Sequence, residues 1–129
     1  MSWIQDHVHL RCSNYEATVR FLVENLDAKE EGRVTNPGGS VTVTLRIGGS
    51  IYKVSPMKPG DAGASDAKLP HYVVYHLGFE TADLAAQLAK MKARGVKVTQ
   101  DLVQPNPQLQ YAFIEGPDGI SIELLQKRK

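Results

Sequence analysis

The stretches His7-Val8-His9-Leu10 and His76-Leu77-Gly78-Phe79 share one pattern and lie 69 residues apart. When residues 7–27 are laid over residues 76–96, the match extends further, with Asn14 on Asp83, Tyr15 on Leu84, Ala17 on Ala86, Val19 on Leu88 and Leu22 on Met91. Each copy reads as a short strand with a histidine, an Asn or Asp suited to capping a helix, and an amphipathic helix. The chain is therefore predicted to contain one structural unit twice.

The remaining strands are predicted from alternating apolar and polar residues. In the first copy they cover 5–12, 40–47 and 50–55, with Gly48-Gly49 as a turn. In the second copy they cover 72–80, 96–100, 110–115 and 120–126, with Pro117-Asp118-Gly119 as a turn and 101–110 as a loop. The second helix is expected to end near Arg94-Gly95. Taken with the repeat, each copy is predicted to be a βαβββ module, which makes the fold class α+β.

The two copies are expected to form a single domain over residues 1–129. Module one covers 4–56 and module two covers 71–126. Residues 57–70, rich in Gly, Ala, Asp and Pro, are predicted to link them as a flexible surface loop. A module of this size buries too little apolar surface to be stable alone, so the modules must pack together within a chain or between chains.

The composition excludes several classes of protein. The chain is 42% hydrophobic and 22% charged, with a formal net charge of +1, which is ordinary for a globular protein and gives no footprint for nucleic acid or an anionic membrane. No signal peptide and no spanning apolar run is apparent. The single cysteine, Cys12, allows no internal disulfide and is expected in the core, which fits a cytoplasmic protein.

Strand alternation predicts one apolar and one polar face on each sheet. The polar face of the first strand carries His7, His9 and Arg11, and the matching strand of module two carries His76, Gly78 and Glu80. The last strand adds Ser121 and Glu123. Two histidines and a carboxylate at repeat-related positions would need partners in a cavity, and a divalent metal would satisfy them together.

These motifs resemble the vicinal oxygen chelate superfamily, which includes glyoxalases, bleomycin-resistance proteins and extradiol dioxygenases. The resemblance is carried by Asp6-His7-Val8-His9-Leu10, by Tyr75-His76-Leu77-Gly78-Phe79-Glu80 and by Gly116-Pro117-Asp118-Gly119-Ile120-Ser121-Ile122-Glu123-Leu124. It covers roughly residues 4–126. It implies a cupped mixed sheet with the helices on its outer face, and a divalent metal (Fe, Mn, Zn, Ni, Co or Mg) held by His7, His76 and Glu123.

One departure from the family pattern bears on the chemistry. Members that use four ligands, such as those similar to glyoxalase I or methylmalonyl-CoA epimerase, place a Glu on the fourth strand. Here that position holds Tyr52, or Lys53 if the turn shifts by one. The remaining two histidines and one carboxylate resemble the set of extradiol dioxygenases and fosfomycin-modifying transferases, in which open positions accept two adjacent substrate oxygens.

His9 and Tyr52 are the predicted catalytic residues. His9 lies on the face of His7 and is interpreted as a general base or substrate partner, with a cavity-lining role as the alternative. Tyr52 is interpreted as a phenolic acid or substrate contact, with a β-favouring structural residue as the alternative. Tyr111 and Arg46 are weaker candidates, and His71 is expected at the surface.

Two functions from different classes follow. The first is a metal-dependent dioxygenase, lyase, isomerase or transferase that acts on a small molecule with adjacent oxygens. The second is a metal-free protein that binds an aromatic or antibiotic ligand, in a pocket lined by Tyr52, Tyr72, Tyr111 and Phe113. No feature of the sequence favours a third possibility, a purely structural or regulatory module. The resemblance also implies a homodimer.

Overall fold

The computed structural model describes residues 4–58, 60 and 74–128, and these form two compact units, Met1–Gly63 and Ala64–Lys129. Each unit contains one βαβββ module with a four-stranded mixed sheet, which confirms the predicted α+β class. His71, Tyr72 and most of the predicted linker lie outside the described residues.

Module one begins with a strand and a helix and continues with three strands. Its elements are β1 (Val8–Cys12), α1 (Tyr15–Leu26), β2 (Lys29–Thr35), β3 (Val41–Ile47) and β4 (Ser50–Pro56). The sheet order is β1-β4-β3-β2, with β1 parallel to β4 and the other pairs antiparallel. Gly48, with a φ of 57°, forms with Gly49 the predicted turn between β3 and β4.

Module two repeats this arrangement. Its elements are β5 (Leu77–Glu80), α2 (Leu84–Ala93), β6 (Lys97–Asn106), β7 (Leu109–Glu115), a 3₁₀ turn (Pro117–Gly119) and β8 (Ser121–Lys127). The sheet order is β5-β8-β7-β6, with β5 parallel to β8. In both modules the first strand therefore pairs with the last, which brings the residues at the start of each module beside those at its end.

Both helices begin at the predicted caps. The Asn14 side chain accepts a hydrogen bond from the Ala17 amide at 3.1 Å, and the Asp83 side chain accepts one from the Ala86 amide at 3.1 Å. Such bonds satisfy one of the free amides of the first turn. The second helix ends at Ala93 with Arg94 as its cap, and Gly95 follows with a φ of 81°, a conformation that suits glycine.

Each module has its own core between its helix and one face of its sheet. The fully buried side chains of module one include Val43, Leu45 and Val54, which lie with Val19 and Leu22 of α1. In module two the core is formed by Leu84, Leu88 and Met91 of α2 with Ala112, Ile114, Ile122 and Leu124 of the sheet. The opposite face of each sheet carries the polar residues considered below.

The structure corrects three details of the prediction. Strand β2 had no individual prediction, because all seven of its residues are exposed and show no alternation. The loop predicted over 101–110 is wrong: β6 runs to Asn106, and a turn at Pro107 and Gln108 leads into β7. On α1, the apolar residue Val23 is 41% exposed, whereas the polar residues Thr18 and Asn25 are buried, which departs from the amphipathic pattern predicted for this helix.

Candidate functional site

Module two brings His76 and Glu123 together. His76 immediately precedes β5, and Glu123 lies in the middle of β8, directly opposite Gly78 of β5. Their nearest atoms, Nε2 of His76 and Oε1 of Glu123, are 3.8 Å apart, and each side chain is about a quarter exposed. A Cβ built on Gly78 would lie 3.9 Å from Oε1 of Glu123, an ordinary van der Waals contact, so the two residues are direct neighbours across β5 and β8.

The separation of these two atoms fits joint binding of an ion better than a direct bond. At 3.8 Å it is longer than a hydrogen bond between nitrogen and oxygen. Two donors that bind one ion at about 2.1 Å, at tetrahedral or octahedral angles, lie about 3.0 to 3.4 Å apart. A shift of about 0.5 Å in either side chain would bring His76 and Glu123 to that spacing.

The imidazole of His76 packs against two aromatic rings, and one of its nitrogens lacks a hydrogen-bond partner among the described residues. Its ring meets the rings of Tyr75 and Phe113 edge to face, with centroid distances of 4.6 and 5.2 Å. Its Nδ1 atom is buried and has no hydrogen-bond partner among the described residues. A buried nitrogen without a partner costs about 1 to 3 kcal/mol, so Nδ1 favours a water or another hydrogen-bonding group as its partner.

An aromatic cleft lies on the same face of module two. It has a volume of about 350 Å³ and is lined by Tyr75, Tyr111 and Phe113, together with polar residues that include Thr99 and Ser121. Tyr111 and Phe113 share the face of Glu123, because Phe113 pairs with Glu123 across β7 and β8. Tyr111 therefore lies on the polar face, and the cleft includes two of the four aromatic residues predicted to line a pocket, Tyr111 and Phe113.

In module one, His7 is oriented by its neighbour. Its Nδ1 atom and the Asp6 carboxylate are 2.7 Å apart, and this hydrogen bond holds the pKa of the Asp6 carboxyl below its usual range. When Nδ1 donates to a carboxylate, the lone pair lies on Nε2, as in histidines that bind metals with a carboxylate behind them. His7 is thus in a form that can bind a metal.

His9 lies on the same polar face and bonds to a buried serine. Its Nε2 atom is 2.8 Å from the Ser55 hydroxyl, and its ring centroid is 6.4 Å from that of His7. Partial burial lowers the pKa of the His9 imidazole, and electrostatic interactions with His7, Arg11 and Lys53 lower it further. A lowered pKa favours the neutral form of the ring, which is the form that a general base requires.

Tyr52 lies on the other face of the sheet. It pairs with Val8 and Leu45, is only 7% exposed, and has the pKa of its phenol raised by burial. The predicted catalytic role of Tyr52 gains no support from this position, which is opposite to that of His9. Lys53, the other residue considered for the fourth-strand position, pairs with His9 and shares its face.

The structure also places Arg46, Cys12 and the acidic and histidine side chains that could bind a metal. Arg46 donates to Glu31 at 2.9 Å, and Cys12 is buried in the core of module one, as predicted. Within the ranges that the structure describes, no group of three or more His, Cys, Asp or Glu side chains is placed to hold a metal ion. The structure therefore gives a two-donor pair in module two and an oriented histidine in module one.

Sequence reasoning missed Ser55, Asp6 and Tyr75 as parts of these arrangements. Ser55 and Lys53 are two residues apart on one strand, so the sequence predicts that they share a face. Only the pairing of β1 with β4 shows that Ser55 contacts His9. Asp6 stands beside His7 in the sequence, and that adjacency was an available signal.

The comparisons with known proteins agree with this fold. The family model described as "Glyoxalase/Bleomycin resistance protein/Dioxygenase superfamily" matches residues 4–124. The Bacillus subtilis (strain 168) protein YwbC, described as uncharacterized, is 26% identical over 95% of this chain and 96% of its own length.

Solved structures show the same fold. A glyoxalase family protein from Enterococcus faecalis has 23% identity and a TM-score of 0.76, covering 95% of this chain and 96% of that one. The fosfomycin resistance protein FosX from Listeria monocytogenes, complexed with Mn(II) and sulfate, has 17% identity and a TM-score of 0.71, covering 99% and 94%. In the described part of this chain, no helix is long and apolar enough to cross a membrane.

Proposed function

Because the chain belongs to the glyoxalase/bleomycin resistance protein/dioxygenase superfamily, we propose that it is a metal-dependent enzyme acting on a small molecule with adjacent oxygen atoms. The observation that carries this proposal is the His76 and Glu123 pair, whose 3.8 Å gap suits joint binding of one divalent ion.

His7 is the proposed third ligand. It occupies in module one the place that His76 occupies in module two, and its bond to Asp6 leaves Nε2 ready to bind. Two imidazoles and one carboxylate suit Fe(II) or Mn(II), and FosX, which shares the fold, was crystallised with Mn(II). Such an ion, when bound, would supply Lewis acidity that polarises the substrate oxygens.

The chain's own residues supply orientation and proton transfer. We propose His9 as the general base, because it shares the face of His7 and its Nε2 atom is held at 2.8 Å by the Ser55 hydroxyl. Lys53, one of the two residues considered for the family's fourth-strand carboxylate, pairs with His9 on this face. With three protein ligands, positions remain for two oxygens of the substrate. Tyr52 is left out of this mechanism, since it lies on the buried face.

Elemental analysis of protein purified without added metal tests the ligand set. We expect about one divalent ion per chain, or its uptake when Mn(II) or Fe(II) is added. His7→Ala, His76→Ala and Glu123→Gln should each weaken binding by about tenfold or more. His71→Ala is the matched control, since it removes a histidine with no proposed ligand role. A chain that takes up no ion would refute the proposal.

A second function is favoured by the aromatic cleft of module two. Its volume of about 350 Å³ and its lining of Tyr75, Tyr111 and Phe113 suit a small aromatic ligand bound without metal. Screening aromatic compounds by thermal shift, with and without a chelator, separates the two functions. Stabilisation that survives the chelator and is lost in Phe113→Ala would favour the binding protein over the enzyme.

We also propose that the protein is a homodimer with a small-molecule partner and no nucleic-acid partner. Apolar side chains are exposed in both modules, with Val34 62% and Val74 71% accessible, and burial of such residues commonly drives association. Light scattering coupled to size exclusion would give the mass of a dimer, and a mass of 14.2 kDa would contradict this.

A further inference from the structure

The residue of module one that corresponds to Glu123 is a lysine. Strand pairing sets Gly78 opposite Glu123 in module two and His9 opposite Lys53 in module one. The repeat aligns Gly78 with His9. One place in the repeated fold thus carries a carboxylate in one module and an ammonium group in the other.

The neighbours of Lys53 on its face are hydroxyl-bearing or basic. Thr44 pairs with it from β3, and Ser55 lies two residues along β4, paired with Arg11. Paired residues share a face of the sheet, as do residues two apart along a strand. Lys53 itself is partly buried, so its charge is less well solvated than that of a fully exposed lysine.

The nearby carboxylates have partners of their own. Asp6 bonds to His7, and Glu31 accepts from Arg46 at 2.9 Å. Asp6 is close enough for the charge of Lys53 to contribute a little to its lowered pKa. Among the residues that the structure describes, however, no carboxylate oxygen lies within the 4.0 Å of an ion pair from the Lys53 ammonium.

We propose that this face of module one binds the oxyanion of a small organic ligand, a carboxylate or phosphate group, with Lys53 as its main contact and the hydroxyls around it as further donors. A lysine presents three donors and a full charge, which suits an oxyanion. The matching places of the two modules therefore differ in charge, with the Glu123 carboxylate in one and an anion-binding Lys53 in the other.

Titration of the chelator-treated protein, followed by amide chemical shifts, tests this site apart from the metal. Inorganic phosphate and acetate are added separately at constant ionic strength. We expect saturable shifts centred on Thr44, Lys53 and Ser55 with at least one of these anions, and the tighter one identifies the class. Lys53→Met should weaken binding by about tenfold or more, because it removes a charged hydrogen bond.

Two further variants make the result specific. Lys53→Arg keeps the charge and should bind within about threefold of the original protein. Lys90→Met removes one charge from the exposed end of α2 and should leave the affinity unchanged. The inference is overturned if neither anion gives saturable shifts up to about 20 mM, or if Lys53→Met and Lys90→Met weaken binding equally. Because no metal is present, failure of the metal proposal would not alter either outcome.

Discussion

Substituting Ile114 and Phe113 separately tests the register on which the site of module two depends. These residues are adjacent on β7, but Ile114 is fully buried against Ile122, whereas Phe113 faces the cleft beside Glu123. A slip of one residue in the pairing would exchange their environments. The Ile114 variant should therefore lose mainly folding stability, whereas the Phe113 variant should mainly alter the cleft.

The size of the difference follows from burial. Ile114→Ala removes three buried carbon groups, which costs about 2.4 kcal/mol at about 0.8 kcal/mol each. The cavity that remains raises this loss to about 3 to 4 kcal/mol. Phe113 is only partly buried, and we expect Phe113→Ala to cost about 1 to 2 kcal/mol, mostly through lost ring contacts with His76 and Tyr111.

Urea unfolding followed by circular dichroism measures both free energies. The matched control is Thr99→Ala, a neighbour of the cleft on β6, which should change the free energy of unfolding by less than about 1 kcal/mol. If Phe113→Ala cost as much as Ile114→Ala, or if Ile114→Ala cost less than about 1 kcal/mol, the assignment of faces in module two would be wrong.

The helix caps and a surface ion pair give two further predictions. Asn14→Ala and Asp83→Ala should each lower the free energy of unfolding by about 1 kcal/mol, with Asp83 costing slightly more because its charge favours the helix N-terminus; equal stability to the original in urea melts would contradict the caps. Asp101 has its pKa lowered by Lys92 and by the Leu102 amide, so its contribution is present at neutral pH and lost as the pH falls below about 4 through the lowered value. Urea midpoints of Asp101→Asn and the original protein should differ at pH 7 and converge in acid, and a gap that widened in acid would reverse the sign.

Much of the fold could be predicted because its signals are local. A capping residue followed by an apolar stripe marks each helix, and a glycine pair marks a tight turn. The repeat then supplied the missing strand of module one as a matter of symmetry. Strand β2 gave no pattern of its own, because a strand exposed along its whole length has no alternating burial to record in its sequence.

The site was harder to predict, because the register between paired strands decides which side chains share a face of the sheet. Residues 50–55 were predicted as a strand, but whether Tyr52 or Lys53 shared the face of His9 depended on the pairing of β4 with β1. That pairing is parallel and joins residues more than 40 positions apart, so no local pattern records it. The bond from Ser55 to His9 follows from the same pairing.

Opposite charges at Lys53 and Glu123 have a consequence for how such a protein can diversify. If a single βαβββ unit assembled with an identical copy, every substitution would appear twice, once on each side of the symmetry axis. Joining two copies in one polypeptide frees each from that constraint. One half can then keep a carboxylate while the other gains a cation at the matching place, so that the two polar faces can come to recognise groups of opposite charge.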